Sequence, residues 1–576
     1  MENQTIKDLS RPVRLVSLNA LGRFDMLWIV CSEGLFRGLA GLIRYLLFIT
    51  IAWFWATNIL AQPVYDITNY GAKGDSISDN TLVVQKAIDA AARRGGGKVI
   101  VPKGKFVIAP IKLKSGVELL LTKDAVLLGS TKRLDYGAGH AQALISAKGA
   151  SNIAITGEGV IDGRGAELVQ DLIKQLEAGT LQDPDWKVKR PTEHNRPKLV
   201  LFEGCTNVVV KGITIQNGSG WIQDYLRCNN VLIDSITVNS TTYWNNDGID
   251  ITNSKNVSIT NCYVNASDDA VCLKSEGDVL DSCVNVYIAN CRLRSSANAV
   301  KLGTGSRGGF RNVKVEHIQV WDTYRSAIAL EAVDGGFLEN VEVRNIHALN
   351  TGNALFIRLG HRNKDEKVSR VKNIDISDMY VEVPAGKPDE GYPMEGPLLR
   401  YPPGVQPAPK GMAQSVSPWG HTRKDSTAIV YQHNVFPASI TGLPGHYVEN
   451  VRMQNIEIVY EGGADKSKAL FPWQALDKIT EATSSYPEFS MFGELPAWGL
   501  YVRHAKDITL KNVTLRYKKA DFRVPVIFDD VQKLKLEKLS IPQTVELPAL
   551  LLNDVKDYEL KELSLPDAND QSIIVQ

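Results

Sequence analysis

Charge of one sign is what this 576-residue chain most lacks: 65 lysines and arginines face 64 aspartates and glutamates, a formal net charge of +1. No global field therefore draws in nucleic acid or an anionic membrane, and a charged substrate has to be recognised locally. Histidine is scarce too; the nine are scattered and none stands at metal-ligand spacing from the cysteines, which excludes a zinc site of the usual kind. No metal and no cofactor are expected. Of seven cysteines, Cys31 lies near the N-terminus and six fall between Cys205 and Cys291. Cys262 and Cys291 each follow an Asn-aliphatic dipeptide at the same offset and read as stacked buried thiols, whereas Cys272 and Cys283 are spaced to close a small disulfide loop.

What is present begins with an apolar run, Tyr45 to Trp55, preceded by Arg37 and Arg44 and followed by Ala56 to Ala61. It reads as an export signal cleaved near Ala61, the true start falling as late as Met26. The rival reading, a membrane anchor, needs a longer run than the one interrupted at Thr57 and Asn58. Residues 1–61 are thus expected to be a leader, and the mature protein a secreted or periplasmic monomer.

Asn followed by Val or Ile recurs at Asn152, Asn207, Asn230, Asn256, Asn285, Asn312, Asn340, Asn373 and Asn450. Such a period signals a solenoid. Each marker opens a β-branched alternating segment, as in NVVVKGITIQN or NVYIANCRLRS, and no helix of ordinary length fits between consecutive markers in the central array. The asparagines are expected to stack at turns, amide to amide. A second column, DGIDI, DAVCL, NAVKL, SAIAL and NALFI from Asp247 to Ile357, has the same spacing and predicts one strand per coil. Its aliphatic positions face the core, leaving Asp250, Lys274, Lys301, Glu331 and Arg358 on a common outer face. The fold class is therefore all-β, a single-stranded right-handed parallel β-helix. An N-terminal helix from about Asn80 to Arg94 caps its apolar end. The solenoid is expected over 62–545, with 546–576 its end or a tail, and with a loop excursion at about 384–446, where 11 of the 25 prolines fall.

Three carboxylates crowd into two successive coils, in WNNDGIDI and SDDAVCLKS. Asp247 and Asp269 hold one position, so their backbones stand about 4.8 Å apart, with Asp268 beside them. Like charges so close point to chemistry or a cation; calcium binding and structural turn aspartates are the alternatives. At these residues, and from about Tyr65 to Asn353, the sequence resembles glycoside hydrolase family 28, the polygalacturonases and their relatives. Asn245-Asn246-Asp247-Gly248 and Asp268-Asp269 match the family's paired motifs. The resemblance implies an inverting hydrolase of a pectic or other uronic-acid-containing polysaccharide, with Asp268 as general acid and Asp247 and Asp269 activating water.

The chain departs from the family at Ala297-Asn298-Ala299, where Gly-His-Gly is usual, and at Ala329-Leu330-Glu331, where Arg-Ile-Lys is usual. Substrate contacts are then expected from Asn245, Lys274, Asn298, Lys301, Arg307, Glu331 and Arg358, with His361 a further candidate, and a rhamnogalacturonan fragment or another uronic-acid glycan fits these departures nearly as well as polygalacturonate. Two other functions compete: a calcium-dependent polysaccharide lyase, with Lys301 or Arg325 as base, and a non-catalytic carbohydrate-binding β-helix.

Overall fold

The computed structural model describes residues 63–576 apart from 185, 187–189, 244, 278–280, 387, 390–391, 393–433, 468, 470, 542, 545 and 567–571. The expected leader, and most of the proline-rich stretch, lie outside these residues.

Strand pairing is parallel throughout the coils, and each strand bonds to the one a full coil away, so three faces wind about one axis. On the first face Asp224, Asp250, Cys272, Lys301 and Ala329 stand in register. Alternation then does the sorting: Ile249 and Ile251, Val271 and Leu273, Val300 and Leu302, Ile328 and Leu330 all point into one continuous buried core. The chain is a right-handed parallel β-helix, as its sequence periods imply.

The Asn markers explain the corner. All nine adopt left-handed φ, from Asn450 at 52° to Asn230 at 61°, a conformation that asparagine tolerates and β-branched residues do not. Their amides form a ladder: Asn285 Nδ2 donates to Asn256 Oδ1 (2.9 Å), Asn312 to Asn285 (3.0 Å) and Asn340 to Asn312 (3.1 Å).

The capping helix spans Thr81–Arg93 and buries Val84, Ala87, Ile88 and Ala91. Asn80 stands at its N-cap without a side-chain bond to the helix, its amide being committed to Lys73 and Ser78, and Asp79 Oδ1 accepts instead from Thr81 N (2.9 Å). A second helix, Gly165–Glu177, was not foreseen; its apolar face packs with Trp186 and Tyr243 beside the site. The excursion is shorter than expected: Ala438–Thr441 is already a coil strand, paired with residues 356–358 and 500–503. Residues 546–576 also continue the solenoid, through Leu550–Lys561 and Ile573–Val575. No disulfide joins Cys272 to Cys283. All six cysteines from Cys205 to Cys291 are buried free thiols. Cys283 Sγ faces the core at Ile251 O (3.3 Å), while Cys272 Sγ turns outward to Gly303 O (3.1 Å). Cys262 and Cys291 do stack, sharing a hydrogen bond between coils.

Candidate active site

Strand register brings the three aspartates together. Gly248 N donates to Asp269 O (2.9 Å) and Ala270 N to Asn298 O (2.9 Å), which stacks Asp247, Asp269 and Asn298 in consecutive coils at the mouth of the first face. Carboxylate oxygens of Asp247 and Asp269 and the Cys272 Sγ lie within 4.8 Å of one another. Both carboxylates are 3% exposed, whereas Asp268 is only half-buried.

Each stacked carboxylate carries its own lysine. Lys274 Nζ lies 3.0 Å from Asp247 Oδ2 and also donates to Asp250 Oδ1. Lys301 Nζ lies 3.3 Å from Asp269 Oδ2, 3.9 Å from Glu331 Oε2 and 3.2 Å from Tyr486 Oη. Asp269 Oδ1 accepts twice from Asn298, from N (3.1 Å) and Nδ2 (2.8 Å). The partners of Asp268 are milder: its own chain neighbour, Asp269 N (3.0 Å), and Asn245 Nδ2 (3.3 Å). Asn245 is in turn held by Arg196, which donates to its Oδ1 (2.8 Å).

Electrostatics follow from this wiring. Burial pushes Asp269 up, but Lys301, Arg325 and Lys274 overcome it and hold the carboxyl down at about 2. Burial, then the charge of Asp269, raises Asp268 above the ordinary aspartate range. Burial also raises Asp247, with Lys274 opposing it. Glu331, buried beside Lys301, is pushed up to about 7 by desolvation. The lysines stay charged: the acids around Lys274 and Lys301 outweigh desolvation and lift both well above the usual value. Cationic charge on the aspartate pair is thus supplied from within the chain, and burial keeps the Cys272 thiol protonated.

Other expected contacts are placed differently. Arg358 is 1% exposed and donates to Gly442 O (2.9 Å) and Glu481 O (2.6 Å), committed to backbone carbonyls. Arg307 is exposed at the rim, 2.5 Å from Asp365 Oδ2, and with Ser306, Asp334 and Arg362 lines a cleft of about 620 Å³. His361 Nε2 lies 2.6 Å from Asp365 O in the same loop.

Three neighbours escaped the sequence reading. Trp221 precedes Asp247 in the column, and its ring lies 4.1 Å from both Lys198 Nζ and Lys274 Nζ. Aligning GWIQDYL with DGIDITN was the available signal, obscured because Trp stands where the other coils have Asp, Asn or Ser. Tyr486 comes from a segment that crosses the outer face, and its distance in sequence from Lys301 left no signal at all. Asp250 was placed on the outer face but not recognised as the second carboxylate on Lys274.

Residues 93–389, a little over half the chain, match the model of Glycosyl hydrolases family 28. The exo-poly-alpha-D-galacturonosidase of Dickeya chrysanthemi is 27% identical over 329 residues, covering 49% of this chain and 54% of that protein. A probable polygalacturonase of Vitis vinifera is 26% identical over 308 residues, covering 49% and 60%. The chain thus spans just over half the length of these relatives. A hyperthermoactive exopolygalacturonase from Thermotoga maritima superposes with TM-score 0.54 at 21% identity, covering 79% of this chain and 91% of that one, a likeness of fold. With the paired aspartate motifs lying inside the matched span, the chain belongs to glycosyl hydrolases family 28.

Proposed function

We propose that the protein hydrolyses glycosidic bonds in a pectic or other uronic-acid-containing polysaccharide, with inversion at the anomeric carbon. Asp268 protonates the leaving oxygen, while Asp247 and Asp269 hold and deprotonate the attacking water. The observation that carries this reading is the arrangement of the three carboxylates, Asp247 and Asp269 stacked at one register position with Asp268 beside them. A lysine sits on each member of the stacked pair, whereas Asp268 accepts amide hydrogens from Asn245 Nδ2 and Asp269 N. Asp268, raised, and Asp269, held down at about 2, are pushed apart and so suited to opposite roles, whereas burial raises Asp247 as well. Being half-buried, Asp268 is also the one best placed to reach a bond lying across the mouth.

Asn245 and Arg307 remain candidates for sugar contact, whereas Glu331 is 1% exposed and buried beside Lys301, and Asn298 acts through Asp269. Lys301 is a poor abstracting base for the lyase alternative, because Asp269 and Glu331 keep it protonated. Export of a monomer, freed of a leader over residues 1–61, belongs to the same proposal, since a polymeric glycan is met outside the cell. The test is product analysis on polygalacturonate, rhamnogalacturonan and their oligomers. New reducing ends without ultraviolet-absorbing unsaturated sugars, lost in Asp268→Asn, support hydrolysis. Absorbance that disappears with a calcium chelator, or binding without cleavage, rejects it.

A further inference from the structure

Behind Asp247 stands a second buried carboxylate. Asp250 follows it by three residues, inside the strand Ile249–Thr252, is fully buried, and shares the ammonium of Lys274. The three hydrogens of that ammonium are accounted for. Two point at Asp247 Oδ2 and Asp250 Oδ1, and the Trp221 ring, 4.1 Å from Nζ, takes the third side. Lys274 is 8% exposed, so neither a free hydrogen nor an open face remains for a sugar. Asp247 is left with one oxygen, Oδ1, buried and without a hydrogen-bond partner among the described residues. The titratable groups around the pair are Asp224, Lys198 and Asp250 on one side, and Asp268, Asp269 and the neutral Cys272 thiol on the other.

From this geometry we infer that Lys274 is a positioning residue rather than a substrate contact: anchored on Asp250, it fixes Asp247 Oδ2 and sets a positive charge against a carboxyl that burial otherwise drives toward its neutral form. Oδ1 is then the one oxygen turned toward the attacking water. The inference rests on the hydrolase reading above. It also gives Asp250 a purpose, since a lysine held by Asp247 alone is free to swing along its four-carbon stem.

Opposed charges at this range move a carboxyl pKa by about 1–3 units. Lys274→Met is therefore expected to shift the acidic limb of the kcat/KM profile, measured on polygalacturonate oligomers, upward by about one unit or more. It lowers kcat at pH 5 with KM nearly unchanged, because the lost interaction serves the transition state. Lys274→Arg restores the limb, and Asp250→Asn does not move it upward, since Lys274 is then undivided. Infrared difference titration of the Asp247 carboxyl, referenced to Asp247→Asn, reads the same shift without any turnover. A raised KM with kcat and the limb unmoved, or an unchanged Asp247 titration in a folded Lys274→Met protein, overturns the inference. If the parent protein and Asp268→Asn are both inert on every glycan, the hydrolase reading fails instead, and the infrared titration still decides whether Lys274 favours the ionised form of Asp247.

Discussion

Asn298 stands where the family carries histidine, and its truncation tests how Asp269 is kept ionised. Asp269 Oδ1 accepts from Asn298 Nδ2 at 2.8 Å, while Asn298 Oδ1 accepts from Ser326 N at 3.2 Å. Asn298→Ala removes the first bond and leaves the buried Ser326 N–H without its acceptor. A hydrogen bond to a charged group contributes roughly 1.5–3 kcal/mol, which corresponds to about a 10- to 150-fold fall in kcat/KM if the full amount serves the transition state. Orphaning the Ser326 N–H costs a further ~1–3 kcal/mol of stability. Folded Asp269 titrates below its unfolded value, at about 2. Its stabilising contribution is therefore complete above roughly pH 4 and is lost only as pH falls toward the folded value. Between pH 5 and 8 the variant should lose the same stability at every pH, while its kcat/KM falls. Initial rates on a reduced-length pectic substrate, paired with urea unfolding at pH 5, 6.5 and 8, measure both. A kcat/KM within twofold of the parent would refute the argument, because Asp269 would then not depend on Asn298.

The ladder makes a separable prediction. Asn285→Ala forfeits two interstrand amide bonds and forces alanine into φ 58°, whereas Asn285→Gly forfeits only the bonds. Since the left-handed region costs a non-glycine residue about 1–2 kcal/mol, glycine should unfold at the higher urea concentration of the two. His504 gives a pH-dependent one: its Nδ1 lies 2.7 Å from Asp530 and its Nε2 3.1 Å from Glu481. Burial alone lowers its pKa, but the two carboxylates win and raise it. The stabilisation is thus full below about pH 6.5 and lost as pH climbs through the folded value. Urea midpoints should fall between pH 6 and 9 in the parent, and that slope should flatten in His504→Gln.

Much of the fold was legible because stacking repeats the same demand in every coil. One corner needs left-handed φ, and asparagine meets it nine times with a self-complementary amide. Where another residue meets the same demand the signal vanishes. Gly116 precedes Asn152 in that column, and Asp507, Lys533 and Asp557 follow Asn450, all with positive φ. The last coils therefore read equally as the solenoid's end or as a tail. Asp247, Asp269 and Asn298 were readable together because register is periodic and they share it. Tyr486 was not, since its contact with Lys301 spans 185 residues and depends on how an irregular segment lies on the sheet. The Cys272–Cys283 pairing failed for the opposite reason: closeness in sequence says nothing of facing, and the two thiols point to opposite sides of the wall.

The most direct test of the central claim is the anomer released at the first turnover, followed by proton NMR before mutarotation, with the parent and Asp268→Asn compared on one pectic oligosaccharide. A stacked pair holding water opposite a separate acid predicts a first product inverted relative to the bond cleaved, and no product from Asp268→Asn. Retention at the anomeric carbon, or undiminished cleavage by the variant, would contradict the roles assigned to the three aspartates.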